Sequence, residues 1–160
     1  MITIVYGSIL DAKEKYIAHQ CNCITTHAAG AARAIFDKFP HSDVYKGREK
    51  PDDLGTIKVM GNGDDERFVI NMFAQHFPGR PKMPQHPVDG LAARQRHFYA
   101  CLARIANIPN LESIAFPYGI GCAMGGGNWT YYSGFLGHFD KYVNDKFGTK
   151  VVLYHRGDQE

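Results

Sequence analysis

The sequence predicts an α/β fold, a mixed sheet with helices on both faces, on three observations. Strand-like and helix-like patterns alternate along the chain, two strand-to-helix junctions are built from small residues, and one strand pair flanks an Asn-Gly turn. At 160 residues a single domain covering residues 1–160 is expected. Hydrophobic residues make up 44% and charged residues 21%, with 17 glycines and 8 prolines, a balance that excludes collagen, coiled coil and disorder. Eighteen basic against sixteen acidic residues leave a net charge of +2, short of the basic footprint of a duplex-binding domain. No apolar run approaches the ~18 residues of a membrane span, and no basic stretch precedes the apolar start. A cytoplasmic protein without a membrane partner is expected, its four cysteines (Cys21, Cys23, Cys101 and Cys122) reduced.

Taken in order, the apolar and β-branched runs at residues 2–6 and 16–21 read as strands separated by a polar turn at 11–15. From residue 28, AAGAARAIFDKF is rich in helix formers and sets Ala31, Ala34, Ile35 and Phe39 at helical spacing before Pro40 ends it. Residues 55–60 and 67–73 read as a hairpin around Gly61-Asn62-Gly63-Asp64-Asp65. Four of the eight prolines fall within 77–87, which predicts an irregular loop. The stretch 88–106 puts Leu91, Phe98, Leu102 and Ile105 on one helical face and leaves Arg94, Arg96 and Arg104 to the remaining positions. A strand at 113–116, a glycine-rich loop at 118–128, a helix at 129–147 and a strand at 150–154 complete the chain. Trp129 reads as core at a helix start, and Tyr131, Tyr132, Phe135 and Phe139 as a packing face. The hairpin and the N-terminal strand are both expected to make the sheet mixed.

Ligands of such folds bind at the carboxyl ends of the strands. Two loops belong there. Between Tyr118 and Asn128 the chain has five glycines, which let backbone N–H groups approach an anion beside a helix N-terminus. The plainer reading is a turn that packs strand against helix, although five glycines exceed what packing asks. The other loop runs from Asn22 through Thr25, Thr26 and His27 to Ala28, Ala29 and Gly30. Two cradles on one edge suit a diphosphate. There is no Gly-Lys-Ser or Gly-Lys-Thr, and no GxGxxG in the first strand–helix unit, which argues against kinase-like and dehydrogenase chemistry. His19, Cys21 and Cys23 alternate in HQCNC and share a strand face, either as metal ligands or, more simply, as packed residues. His19 reads equally as an acid or base near neutral pH and as a satisfied buried histidine. His27 touches a phosphate or faces solvent, and Asn22 bonds a ribose or caps the turn.

These residues together resemble a macrodomain, the ADP-ribose-binding α/β module. The likeness runs through ITIVYGSIL, IAHQCNC, AAGAARAIFDKFP, GTIKV, FVINMFAQ, SIAFPYGIGCAMGGGNW and VVLY. It implies a three-layer α/β/α sandwich that binds ADP-ribose. The implied diphosphate site lies between Ala28, Ala29, Gly30 and Ala31 on one side and Gly119, Ile120, Gly121, Cys122, Ala123, Met124 and Gly125 on the other, with Ser8, Ile9, Asn22, Gln75 and Tyr118 completing the pocket. Where the family commonly has Gly-Asp-Ile for the adenine, this chain has Gly7-Ser8-Ile9, so adenine recognition is looser or different. The lysine and aspartate of the branch that deacylates ADP-ribosyl esters fall at Gln75 and Gly125, which disfavours that mechanism. HxCNC is shared with the branch acting on ADP-ribose 1''-phosphate, where the histidine, here His19, is catalytic. The resemblance thus implies a phosphatase using His19, Asn22 and His27, without metal or cofactor. The other readings are a non-catalytic reader and a hydrolase releasing ADP-ribose from protein or nucleic acid. A monomer is expected.

Overall fold

The two longest apolar runs, YIAHQCN and FVINMFAQ, lack the alternation of a strand with one wet face, and both lie inside the sheet with a strand on either side. In the computed structural model, which describes residues 1–157, they are β2 (Tyr16–Asn22) and β4 (Phe68–Gln75). The remaining elements are β1 (Thr3–Tyr6), α1 (Gly30–Lys38), β3 (Ile57–Met60), α2 (Leu91–Ile105), β5 (Ser113–Pro117), α3 (Trp129–Phe147) and β6 (Lys150–His155). Two short 3-10 turns, Ile9–Asp11 and Pro40–Ser42, join them.

The six strands run in the order β1-β6-β5-β2-β4-β3. Among the described residues only β3 is antiparallel, with Val59 opposite Ile70 across the hairpin. The N-terminal strand β1 is parallel to β6, contrary to the sequence expectation. The 3-10 turn and the residues up to Lys15 carry the chain back to the amino edge before β2, so β1 and β2 start from the same side. α1 covers one face of the sheet, and α2 with α3 covers the other.

Three predicted faces are shifted. α1 buries Ala32, Ile35 and Phe36, while Ala31 is exposed and Ala34 and Phe39 are half-buried. The adjacent large side chains Ile35 and Phe36 set the rotation, Phe36 meeting His19 and Tyr45 edge-on. On α2, Leu91 is exposed in the first turn and Arg94 takes the buried face with Phe98, Cys101, Leu102 and Ile105. On α3, Tyr132 and Phe139 are buried as expected, but Tyr131 faces out.

What positions a site is where pairing stops. β2 pairs with β5 only at Tyr16–Ile114 and Ile17–Ala115. On either side, pairing continues to the carboxyl edge, through Asn22–Gln75 and Pro117–Tyr154. The sheet is therefore parted between β2 and β5 along its carboxyl half. Among the described residues, no helix is long and apolar enough to cross a membrane.

Candidate functional site

The loop leaving β2 forms one wall of the opening. Asn22 Oδ1 accepts from the N–H groups of Ile24 and Thr25 (3.0 and 2.9 Å) and from the Thr25 hydroxyl (3.0 Å), an Asx turn that redirects the chain toward α1. The Asn22 amide nitrogen has no partner among the described residues. Asn22 N–H donates to the Tyr45 hydroxyl at 2.7 Å. Arg48 donates to the carbonyls of Thr25 (2.6 Å) and Asn22 (3.2 Å), pairs with Asp52 at 3.0 Å and lies 4.5 Å from the Tyr45 ring centroid. The N-cap of α1, Ala29, makes no side-chain bond, so the first N–H groups of the helix carry no cap.

The loop leaving β5 forms the other wall, and its glycines answer to packing. A Cβ on Gly121 would lie 2.5 Å from the Tyr132 ring, one on Gly125 2.7 Å from the Gly121 carbonyl oxygen, and one on Gly126 2.7 Å from the Arg80 stem. Gly127 is equally tight against Tyr132. Close packing thus accounts for four of the five glycines, more than the sequence reading allowed. The tight fold still leaves donors over: among the described residues, the N–H groups of Gly121, Ala123, Met124 and Gly125 have no acceptor. Asn128 caps α3 by accepting from Thr130 N–H. Met124 crosses toward the facing loop, its sulfur 2.4 Å from where a Gly30 Cβ would stand.

Arg94 joins this wall to the β4–α2 connection. It is 1% exposed and donates to both carboxylate oxygens of Asp89 (3.1 and 2.8 Å) and to the carbonyls of Gly79 (2.6 Å), Phe77 (3.2 Å) and Gly125 (3.2 Å). Burial pushes the Asp89 carboxyl up, but Arg94 and the N–H groups of His76 and Phe77 outweigh it and hold the carboxyl below its ordinary range.

No family model matches the sequence, and no curated protein does. Solved structures do. The macrodomain of Mycobacterium tuberculosis DarG superposes with a TM-score of 0.69 at 22% identity, covering 96% of this chain and 97% of that one. The macrodomain of Thermus aquaticus DarG gives 0.67 at 21%, covering 96% and 97%. A Trypanosoma brucei macrodomain in complex with ADP-ribose gives 0.71 at 14%, over 99% of this chain and 65% of that one. The chain has the macrodomain fold.

Within this macrodomain fold the sequence-selected residues divide. Asn22, Ala28, Ala29, Gly30 and Ala31 lie on or beside the first wall and Gly119, Ile120, Gly121, Cys122, Ala123, Met124 and Gly125 on the second. Exposed His27 joins the first, without a described hydrogen bond. Cys122 is half-buried, its thiol pushed up to about 11 by burial. Gln75 ends β4 with both amide ends engaged, Nε2 on the Phe77 carbonyl (2.8 Å) and Oε1 accepting from Gln20 (2.7 Å). The second amide end of Gln20, its Oε1, is buried without a partner. Ser8 and Ile9 follow β1 on the same edge, the Ser8 hydroxyl accepting from Leu10 N–H and Ile9 buried. Tyr118 stacks obliquely on His155 (centroids 4.2 Å) and Trp129 (4.8 Å).

His19 is the outlier. It is 1% exposed on the α1 side of β2, with Phe36 edge-on and Nε2 2.7 Å from Asn71 Oδ1. The Asn71 amide nitrogen donates to Ser42 and Lys58 carbonyls, so Oδ1 is the acceptor and His19 carries its proton on Nε2. Burial lowers its pKa to about 4, against the smaller opposing effect of Asn71, and the ring is neutral at pH 7. Cys21 shares that face, its sulfur 3.6 Å from His19 Nε2. Among the described residues, no three His, Cys, Asp or Glu side chains are grouped to hold a metal ion.

The sequence reading passed over Arg94, Asp89, Arg48, Tyr45 and Gln20. Arg94 had a signal, because it stands four residues before Phe98 on the apolar face of α2. Arg48 and Tyr45 had none: they lie in an irregular segment and act on residues more than twenty positions away.

Proposed function

We propose that the parted edge between β2 and β5 binds ADP-ribose, its diphosphate lying between the two walls. The observation that carries this reading is the break in pairing after Ile17 and Ala115, flanked by an uncapped helix start and by four unpaired backbone N–H groups. Backbone donors and a helix N-terminus suit an anion. A structure sharing this fold contains ADP-ribose, which supports the same ligand here. The base lies toward β1, where Ser8 and Ile9 supply no carboxylate. Calorimetric titration tests the reading: ADP-ribose and ADP bind, and adenosine binds far more weakly. Absence of heat with ADP-ribose overturns it.

A second reading adds turnover, hydrolysis of ADP-ribose 1''-phosphate. Water adds to the terminal phosphorus as the bond to the C1'' oxygen breaks, that oxygen taking a proton, and phosphate and ADP-ribose are released. The unpaired amide nitrogen of Asn22 and exposed His27 on the same wall favour it, the backbone donors stabilising charge on the phosphoryl oxygens. His19 would act there only by opening the packing around Asn71 and Phe36. Release of ADP-ribose from modified protein or nucleic acid is the remaining hydrolytic reading, with Gln75 and Gly125 in place of lysine and aspartate. Phosphorus NMR of ADP-ribose 1''-phosphate in chelator separates them. Free phosphate supports the phosphatase, and His19→Ala at an unchanged rate removes His19 from it. A perturbed diphosphate without phosphate release leaves a reader or a hydrolase of another linkage.

A further inference from the structure

The two edges of the sheet are finished differently. β3 forms one edge and carries Lys58, paired with Asp52 at 2.7 Å, and the charged turn Asp64-Asp65-Glu66 follows it; charge of this kind keeps other strands off. β1 forms the other edge with Thr3-Ile4-Val5-Tyr6, which has no charge, proline or glycine. Its residues are all exposed, Ile4 by 47%, Val5 by 36% and Tyr6 by 77%, so the helices on both sides of the sheet stop short of this strand. We infer that β1 is the interface of a homodimer, in which two copies join edge to edge, β1 antiparallel to β1, into one continuous sheet. This replaces the expected monomer and is independent of the ligand of the crevice.

The backbone sets the register. Gly7 N–H donates to the His155 carbonyl at 2.9 Å, and main-chain groups alternate in direction along a strand, so Thr3 and Val5 also bond to β6. Ile4 and Tyr6 therefore turn their N–H and C=O groups outward, where among the described residues no strand pairs with them. A second copy related by a two-fold axis through Ile4 brings outward groups onto outward groups. Ile4 then faces Ile4 of the other copy and Tyr6 faces its Ile2, and each such pair exchanges both main-chain bonds. The side chains agree with this register. Ile2, Ile4 and Tyr6 share the face on which Ile2 packs against the α2–α3 core, so Tyr6 of one copy meets Ile2 of the other as an aromatic and β-branched pair. Thr3 stands opposite Val5 on the other face. No charge crosses the axis, as a contact between identical surfaces requires, and this recommends a second copy over a charged partner. The guarded β3 edge stops the assembly at two copies. A strand of four residues buries less than the roughly 1,200 Å² of a stable interface, so the dimer is weak and depends on concentration.

Sedimentation velocity of the full chain, from dilute solution to the highest soluble concentration, tests this. A reversible equilibrium between monomer and dimer is expected, with no larger species. Ile4→Lys sets two ammonium groups against each other on the axis and should weaken the dimer more than about 10-fold. Tyr6→Lys, at the most exposed position of the strand, should weaken it likewise without touching the core. Ile4→Pro removes an outward N–H while sparing the bonds to β6, and should dissociate the dimer where a merely apolar contact would survive. Val59→Lys on β3 should leave the dimer intact, and thermal unfolding in dilute solution confirms that each variant is folded. The proposal is overturned by a monomer at every concentration, by a dimer that survives Tyr6→Lys and Ile4→Pro in folded protein, or by assembly beyond two copies.

Discussion

Arg48, Tyr45 and Asn22 hold the loop after β2 by directed hydrogen bonds, whereas the loop after β5 takes its shape from side chains that are missing, its glycines lying against Tyr132, a carbonyl and Arg80. The first wall is therefore vulnerable to deletion and the second to addition. Arg94 is the exception on the second wall, a charged tie from the β4–α2 connection to the Gly125 carbonyl. Removing it gives the largest expected effect. Arg94→Ala strands the buried Asp89 carboxylate and takes a donor from the carbonyls of Phe77, Gly79, Asp89 and Gly125, and should cost about 3–5 kcal/mol. Urea denaturation measures this; a loss below about 1 kcal/mol would mean that water replaces the guanidinium and that the wall holds itself.

The first wall carries a pH sensitivity just below neutrality, because His19 lies buried in the strand that leads into it. Its folded pKa of about 4 is below the ordinary 6.5. As pH falls through 6.5 the unfolded chain takes up a proton that the folded chain refuses, so the stability present at neutral pH is lost progressively down to pH 4. The full effect is about 3 kcal/mol. Denaturation midpoints at several pH values for the parent and for His19→Gln isolate it from the carboxylates. Equal pH slopes in the two proteins would refute the assignment.

The same contrast explains what the sequence disclosed. Strand and helix order was legible because burial on both faces of β2 and β4, and on one face of α1, α2 and α3, leaves apolar patterns in the sequence. The glycine wall was legible as composition but misread in cause, since Tyr132 comes to lie under Gly121 and Gly127 only once α3 has folded back. The tie from Arg48 to Thr25 crosses 23 positions without any periodicity. His19 shows the limit most clearly. A strand period of two places it on the face of Ile17 and Cys21, but not whether that face opens to the crevice or lies under Phe36.

The addition side of the comparison is tested by Gly125→Ala. The new methyl would stand 2.7 Å from the Gly121 carbonyl oxygen, backbone that cannot swing aside as a side chain would. Overpacking of this kind costs about 1–3 kcal/mol. The loss of ADP-ribose affinity should exceed the loss of stability, because the displaced segment contains the unpaired N–H groups of Ala123 and Met124. Calorimetric titration beside urea denaturation gives both quantities, and unchanged affinity would place the diphosphate elsewhere.

The smallest effect is the most discriminating, because its two parts have opposite signs. Ala29 stands at the N-cap of α1 with extended backbone and no side-chain bond, a position where aspartate is ordinarily preferred. Ala29→Asp should supply the missing acceptor, complement the helix dipole and stabilise the fold by about 0.5–1 kcal/mol. The same carboxylate would occupy the donors assigned to the diphosphate and repel its charge, so ADP-ribose affinity should fall steeply while adenosine binding is spared. A variant that is both more stable and equally able to bind ADP-ribose would show that the α1 terminus takes no part in holding the anion, and would leave the glycine wall to hold it alone.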